Sequence, residues 1–430
     1  LEHRRQRQMC IRDRLMAKKS NTKNNPFISL NSYKDNNKSI FYSREKQVED
    51  ALSIIQSSSF LAITGDVASG KSSFINAGLI PRIKNGFNGI NGNQWSIVNF
   101  RPGISPIENL CHALSSDGNL YISDKSKTTD YNDYLTTIRE KNSIGLVEIY
   151  RNCEIFSKKN FLIVIDQLED LYNFPDLFDY NESDDEDLLF DLVSKTLKFK
   201  DLGIYFIISI DTGNYKKLSS YDDLSKILSS SQFILHPLNY NDLKEIIKKT
   251  FNAKNIQFDS EVMDQFNVLV NETDNSLNPN FQLFFKKLYD ICLSDLNQQN
   301  GYVNSEKINQ IGDVDEIISV ELENFYSSLD EKGKLILEKF FRSFINFDKK
   351  NIGYYYQEYS YIKNYTDVDD EYLSSLINKL KNKIEGILDI FNRNATNIKS
   401  KTNLNYDNDD IFKFNYVSNY NWDRLNEWIE

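Results

Sequence analysis

The chain has 430 residues, room for several domain-sized cores, and its 40% hydrophobic content excludes a disordered polypeptide. A net charge of −11 argues against a protein held to nucleic acid mainly through phosphates. Four scattered cysteines (Cys10, Cys111, Cys153, Cys292) without C-x-x-C spacing and three histidines leave little for a zinc site and fit a reducing cytosol, and no apolar run approaches the roughly 18 residues of a membrane span.

Residues 6–14, QRQMCIRDR, resemble a translated sequencing adapter, so residues 1–15 are set aside and the natural start is expected at Met16. Residues 16–38 are polar and Asn-rich, the composition of a flexible leader. In 41–58, Val48, Leu52 and Ile55 keep helical spacing. An apolar run from Phe60 to Ile63 then leads into G-x-x-x-x-G-K-S, from Gly65 to Ser72, and a helix expected to close at Pro81. WSIVNF (95–100) reads as a strand that Arg101–Pro102–Gly103 turns into a helix from about Ser105. Residues 117–145 look like a helix-bearing insertion, and Asn181 to Asp187 like a solvated acidic loop. Three further apolar runs, FLIVIDQLEDLY (161–172), GIYFIISID (203–211) and SQFILHPL (231–238), read as buried parallel strands.

Beyond 239 the pattern becomes helical: Asn241–Phe251, Ser260–Asn271 and Phe281–Leu296, a boundary at Asn300–Gly301, then three helices within 304–347. Residues 352–362 are Tyr-rich and β-like; a helix at 369–385 and strands at Ile387–Phe391 and Ile411–Val417 follow. The expected architecture is an α/β P-loop domain over 39–238 with helices on both sheet faces, a helical lid over 239–300 and a winged-helix-like domain over 301–430.

The glycine-rich motif between a strand and a helix points to a phosphate-binding loop. Gly65, Ala68, Ser69, Gly70, Lys71, Ser72 and Ser73 are its nucleotide-binding candidates, with Lys71 directed at the β- and γ-phosphates. Ser72 and Asp166, an acid at the end of a buried strand, are the Mg²⁺ candidates. The residue after Asp166 is Gln167, whose amide orients water but accepts no proton; Glu169 and Asp170 are the alternative catalytic acids, or caps of the next helix. Arg44 is a nucleotide-contact candidate, weighed against a surface salt bridge; Arg101 and His236 are weighed against anchoring and packing. The tyrosines at 354–361 read as core and surface rather than a stacking platform for nucleic acid. No N-K-x-D-type guanine reader follows a strand, which favours adenine.

FYSRE, GDVASGKSS, AGLIPRI, W-x-I-V-x-F-RPG, FLIVIDQLEDLY and the closing W-x-R-L-x-E-W-I-E resemble the NTPase module of STAND proteins, of the type called novel STAND NTPase 1, from about Ile40 to the last residue. The resemblance implies an ASCE-type core, helical lid and winged helix clamping ATP or ADP with Mg²⁺ in a cytoplasmic switch. It implies self-association on ATP binding, with a sensor on a missing C-terminal segment or an effector on a partner protein. Several positions depart from the family pattern. Ser43 replaces a glycine, Asp211 stands where a γ-phosphate-sensing arginine is usual, and Asn415 stands where the winged helix supplies a histidine. The turn at Asn278–Pro279 lacks its glycine. ATP or ADP binding with slow or absent hydrolysis is therefore expected. The alternatives are a non-hydrolysing nucleotide-bound scaffold and an AAA-like ATPase touching DNA, the last disfavoured by the acidic charge.

Overall fold

The computed structural model describes residues 25–86, 94–116, 131–153, 159–173, 182–218, 220–272, 279–296, 302–344, 356–392, 406–407, 410–414, 422, 424 and 428. The first half is built on a five-stranded parallel sheet in the order β2-β3-β4-β1-β5. Its strands are β1 (Phe60–Gly65), β2 (Trp95–Phe100), β3 (Asn160–Ile165), β4 (Ile204–Asp211) and β5 (Gln232–Ile234). Alternate side chains divide the sheet between two apolar layers. Phe60, Phe161, Ile163, Phe206 and Ile208 pack on one face with the Pro106–Ser116 and Glu182–Thr196 helices. Leu61, Ile63, Leu162, Val164 and Ile207 face the Glu45–Ser58 helix and the helix that follows the loop.

That second helix is irregular. It starts at Lys71–Ser73, widens to π-helical hydrogen bonding over Phe74–Leu79 and ends as Ile80–Lys84. Pro81 therefore does not close it, contrary to the sequence expectation. It falls in the first turn of the last segment, where a missing N–H is tolerated. Glycine shapes the next turn, since Gly103 takes a φ of +53° before the Pro106–Ser116 helix.

The second half is helical around one apolar cluster that runs from Leu243 through Phe284, Phe340 and Phe412 to Trp428. The helices Tyr240–Asn252, Ser260–Glu272, Pro279–Leu296, Ser305–Ile311, Ile317–Ser327 and Glu331–Arg342 fall close to the sequence expectation. Two residues of β6 (Gln257–Phe258) pair with β7 (Tyr302–Val303). A three-stranded antiparallel sheet follows, in the order β8-β10-β9, from Tyr356–Glu358 (β8), Leu388–Asn392 (β9) and Asp410–Phe414 (β10). Residues 359–362, expected as β-like, instead begin a helix, Tyr359–Thr366. Tyr359 and Ile362 are buried three apart while Tyr361 and Tyr365 stack outside four apart, which is helical spacing.

The segment read as a leader is partly packed. Phe27 lies against Phe251, Phe285 and Tyr289, and the Leu30 N–H donates to the Glu385 carbonyl at 3.1 Å. Two apolar side chains in a polar stretch suffice to anchor it, so residues 25–34 are structural. No helix among the described residues is long and apolar enough to cross a membrane.

Candidate functional site

The site lies at the carboxyl ends of β1, β3 and β4, where a parallel sheet places ligands. The loop after β1 admits no side chain at Gly65, because a Cβ there would sit 2.7 Å from the Leu235 carbonyl oxygen and 2.8 Å from Ser69 Oγ. Ala68 and Gly70 are left-handed, at φ 64° and 90°; the conformation suits glycine and strains alanine. Ser69 N–H closes the turn on the Asp66 carbonyl at 3.1 Å. The buried Lys71 ammonium folds back over the loop and donates to the carbonyls of Gly65 (2.9 Å) and Asp66 (3.0 Å). Ser73 Oγ accepts the Tyr33 N–H at 3.1 Å, which ties the ordered leader to the loop helix.

Arg44 is buried, not a surface salt bridge. It donates to the carbonyls of His236 (2.7 Å) and Ser69 (3.2 Å) and to Gln47 Oε1 (2.6 Å). Burial lowers its pKa to about 10 against the pull of Asp242. Arg44 therefore braces the loop against the end of β5. His236 takes part through its carbonyl, and its side chain is exposed.

Asp166 receives two hydroxyls on one oxygen: Ser72 Oγ donates to Oδ1 at 3.1 Å and Ser209 Oγ at 2.5 Å. Ser209 in turn accepts the Gln167 N–H at 2.8 Å. Strand register brings the two together, since the last paired residues of β3 and β4, Ile165 and Ile208, immediately precede Asp166 and Ser209. Ser209 was not singled out in the sequence, although a serine in the apolar run IISID was a signal. Gln167 is left-handed at φ 57°, and its Nε2 lies 3.5 Å from Ser72 Oγ. A hydroxyl beside a carboxylate is a hard oxygen set of the kind that takes Mg²⁺ together with phosphate oxygens.

The two later acids part company. Burial pushes the Glu169 carboxyl up to about 7, with Lys71 pulling it down and Asp170 pushing it up, and its Oε2 is buried without a hydrogen-bond partner. That is the state a general base needs near neutral pH. Asp170 is fully buried and held from both sides. Its Oδ2 accepts Arg101 Nε (2.9 Å), with Nη2 at ion-pair distance (2.8 Å), and its Oδ1 accepts Tyr356 Oη (2.6 Å) and Lys413 Nζ (3.0 Å). Burial works against its charge, but Arg101 and Lys413 hold its pKa below the ordinary carboxylate value. Two cations and a tyrosine hydroxyl hold the buried Asp170 carboxylate, so the catalytic role expected for it does not fit this geometry.

Asp211, which stands where the resemblance expects an arginine, is engaged locally. Its carboxylate turns into its own loop and accepts Asn214 N–H at 2.6 Å and Asn214 Nδ2 at 2.8 Å. Asn415 and Asn278 lie outside the described residues.

A parallel sheet with this loop, lysine and strand-end acid is the nucleotide-binding core of a P-loop NTPase. The sequence profile described as Novel STAND NTPase 1 matches residues 26–381, most of the chain, and the protein belongs to that family. Among solved structures it is similar to the Aeropyrum pernix ORC2 protein in its ADPNP-ADP complexes, at 12% identity over 90% of this chain and 93% of that one, with a TM-score of 0.45. The Aeropyrum pernix ORC1 protein in complex with DNA matches at 12% identity, 90% and 92% coverage, and a TM-score of 0.44. Cdc6p from Pyrobaculum aerophilum matches at 13% identity, 90% and 92% coverage, and a TM-score of 0.40. Likenesses this distant decide nothing about function. No curated protein matches.

Proposed function

We propose that the protein binds ATP and ADP and hydrolyses ATP slowly, as a nucleotide-gated switch whose helical and C-terminal parts act as lid and winged helix. The observation that carries hydrolysis is Glu169, a buried carboxyl with an unpartnered oxygen and a pKa near 7 beside Lys71. Ser72 and Asp166 would hold Mg²⁺, which when bound offsets phosphate charge. The chain's own residues do the rest. Loop N–H groups and Lys71 bind phosphate oxygens, with Lys71 exchanging its two loop carbonyls for them. The Gln167 amide orients a water, and Glu169 takes its proton. Slow turnover follows from a base one turn removed from Asp166, with Asp211 committed to its own loop instead of an arginine on the phosphate.

Family membership supports the switch reading, in which the γ-phosphate biases two arrangements of the chain and the ATP-bound one self-associates. The test is single-turnover ATP hydrolysis with and without Mg²⁺. Parent turnover is expected below about one per minute, the range of P-loop enzymes without an activating partner. Glu169→Gln should keep ATP binding and lose at least about a hundredfold in rate. Equal rates in parent and Glu169→Gln would refute the base assignment. The second reading, a scaffold that keeps nucleotide without hydrolysis, is favoured by the neutral Gln167 directly after Asp166.

A further inference from the structure

The C-terminal sheet places one polar residue from each of its strands in a row. Lys413 of β10 lies opposite Tyr356 of β8 on one side and Asp389 of β9 on the other. The flanking residues Phe412, Phe414, Ile390 and Leu388 point into the apolar cluster, so period-two alternation turns the row the other way. It meets the acid segment that follows Asp166. Tyr356 and Lys413 bind Asp170 Oδ1, and Arg101 binds Asp170 Oδ2 while reaching Asp389 Oδ2 at 2.9 Å. Lys413 Nζ also lies 3.5 Å from Gln167 Oε1. Well-packed apolar residues would serve stability as well as a buried ionic cluster does, so the cluster calls for another reason.

We propose that Asp170 is a positioning residue, clamped between Arg101 and the Asp389–Lys413–Tyr356 row, so that Gln167 and Glu169 hold their working geometry only while the C-terminal sheet is docked. The proposal rests on the hydrolytic reading above. It makes β10, with Lys413 lying 246 residues downstream of Gln167, part of the reaction site. Burial raises the Glu169 pKa first; then Lys71 from the loop helix lowers it, Asp170 beside it raises it and Lys413 from β10 lowers it. Removing the Lys413 cation leaves Glu169 protonated to higher pH and frees Gln167.

The experiment compares the parent with Lys413→Met and Lys413→Arg. Binding of a fluorescent ATP analogue with Mg²⁺, single-turnover ATP hydrolysis from pH 5.5 to 9 and thermal melting are measured on the same preparations. Lys413→Met is expected to bind the analogue within about threefold of the parent, hydrolyse about tenfold slower or worse at pH 7, and shift the acidic limb of the rate profile to higher pH. Lys413→Arg should recover most of the rate, since it keeps the charge. Should Lys413→Met fail to fold, Tyr356→Phe, which removes one hydroxyl, carries the same readouts with a smaller loss of rate. A parental rate and limb in a folded Lys413→Met or Tyr356→Phe, with only the melting point changed, overturns the proposal and leaves the hydrolytic reading standing. A parent that binds the analogue and never turns over overturns both, and is distinguished by the parent alone.

Discussion

Replacing Arg101 with alanine takes a cation from two carboxylates at once. Arg101 gives Nε and Nη2 to Asp170 and Nη1 to Asp389, all within 2.9 Å, and its side chain is 10% exposed against 0% for Asp170. So little solvent leaves almost no screening, unlike a surface pair. Breaking a buried pair by removing one partner costs about 3–5 kcal/mol, because the other charge stays behind. For a unit of this size that is a melting-point drop of roughly 6–20 °C. The assay is thermal melting by circular dichroism at several pH values. Asp170 has a depressed folded pKa, so its contribution is complete above the ordinary carboxylate pKa and fades as pH falls through the lowered one. The gap between parent and Arg101→Ala should therefore stay constant from pH 8 to 5 and narrow only below about pH 4. A melting point within about 1 °C of the parent would show that the cluster behaves as a solvated surface pair and refute the reasoning.

Ser209→Ala removes the hydroxyl shared by Asp166 and Gln167; about 1–3 kcal/mol of stability should go with it. Mg²⁺-dependent ATP affinity should fall about tenfold with little change when Mg²⁺ is absent, as titration with and without the ion would show. Gly65→Ala places a methyl 2.7 Å from the Leu235 carbonyl, and fluorescent-nucleotide binding should be lost. Phe27→Ala should cost about 3–5 kcal/mol by melting, whereas a loose leader would cost nothing.

Strands β1, β3 and β4 were legible because each holds a continuous apolar run, and the loop because its spacing is itself the chemistry. The amphipathic helices after residue 239 were legible for the same local reason, repeated apolar positions. Pro81 misled because a proline's effect depends on where a helix restarts, and the π-helical segment before it has no sequence signature. Ser209 and the Asp389–Lys413–Tyr356 row were invisible for a different reason. Their roles come from strand register between segments far apart in sequence, which no single window contains. Glu169 and Asp170 were both catalytic candidates in the sequence, Glu169 the stronger. Only the neighbours that reach Asp170 separate it from Glu169, whose Oε2 is left without a hydrogen-bond partner.

The central claim is that the loop from Gly65 to Ser72 holds a nucleotide. Its most direct test is to purify the protein, denature it and identify the released nucleotide by chromatography, with Lys71→Ala treated alongside. ADP or ATP near one per chain is expected from the parent, directly or after incubation with Mg·ATP, and none from the variant. A parent that stays empty after that incubation, or a Lys71→Ala protein that retains as much nucleotide as the parent, would contradict it.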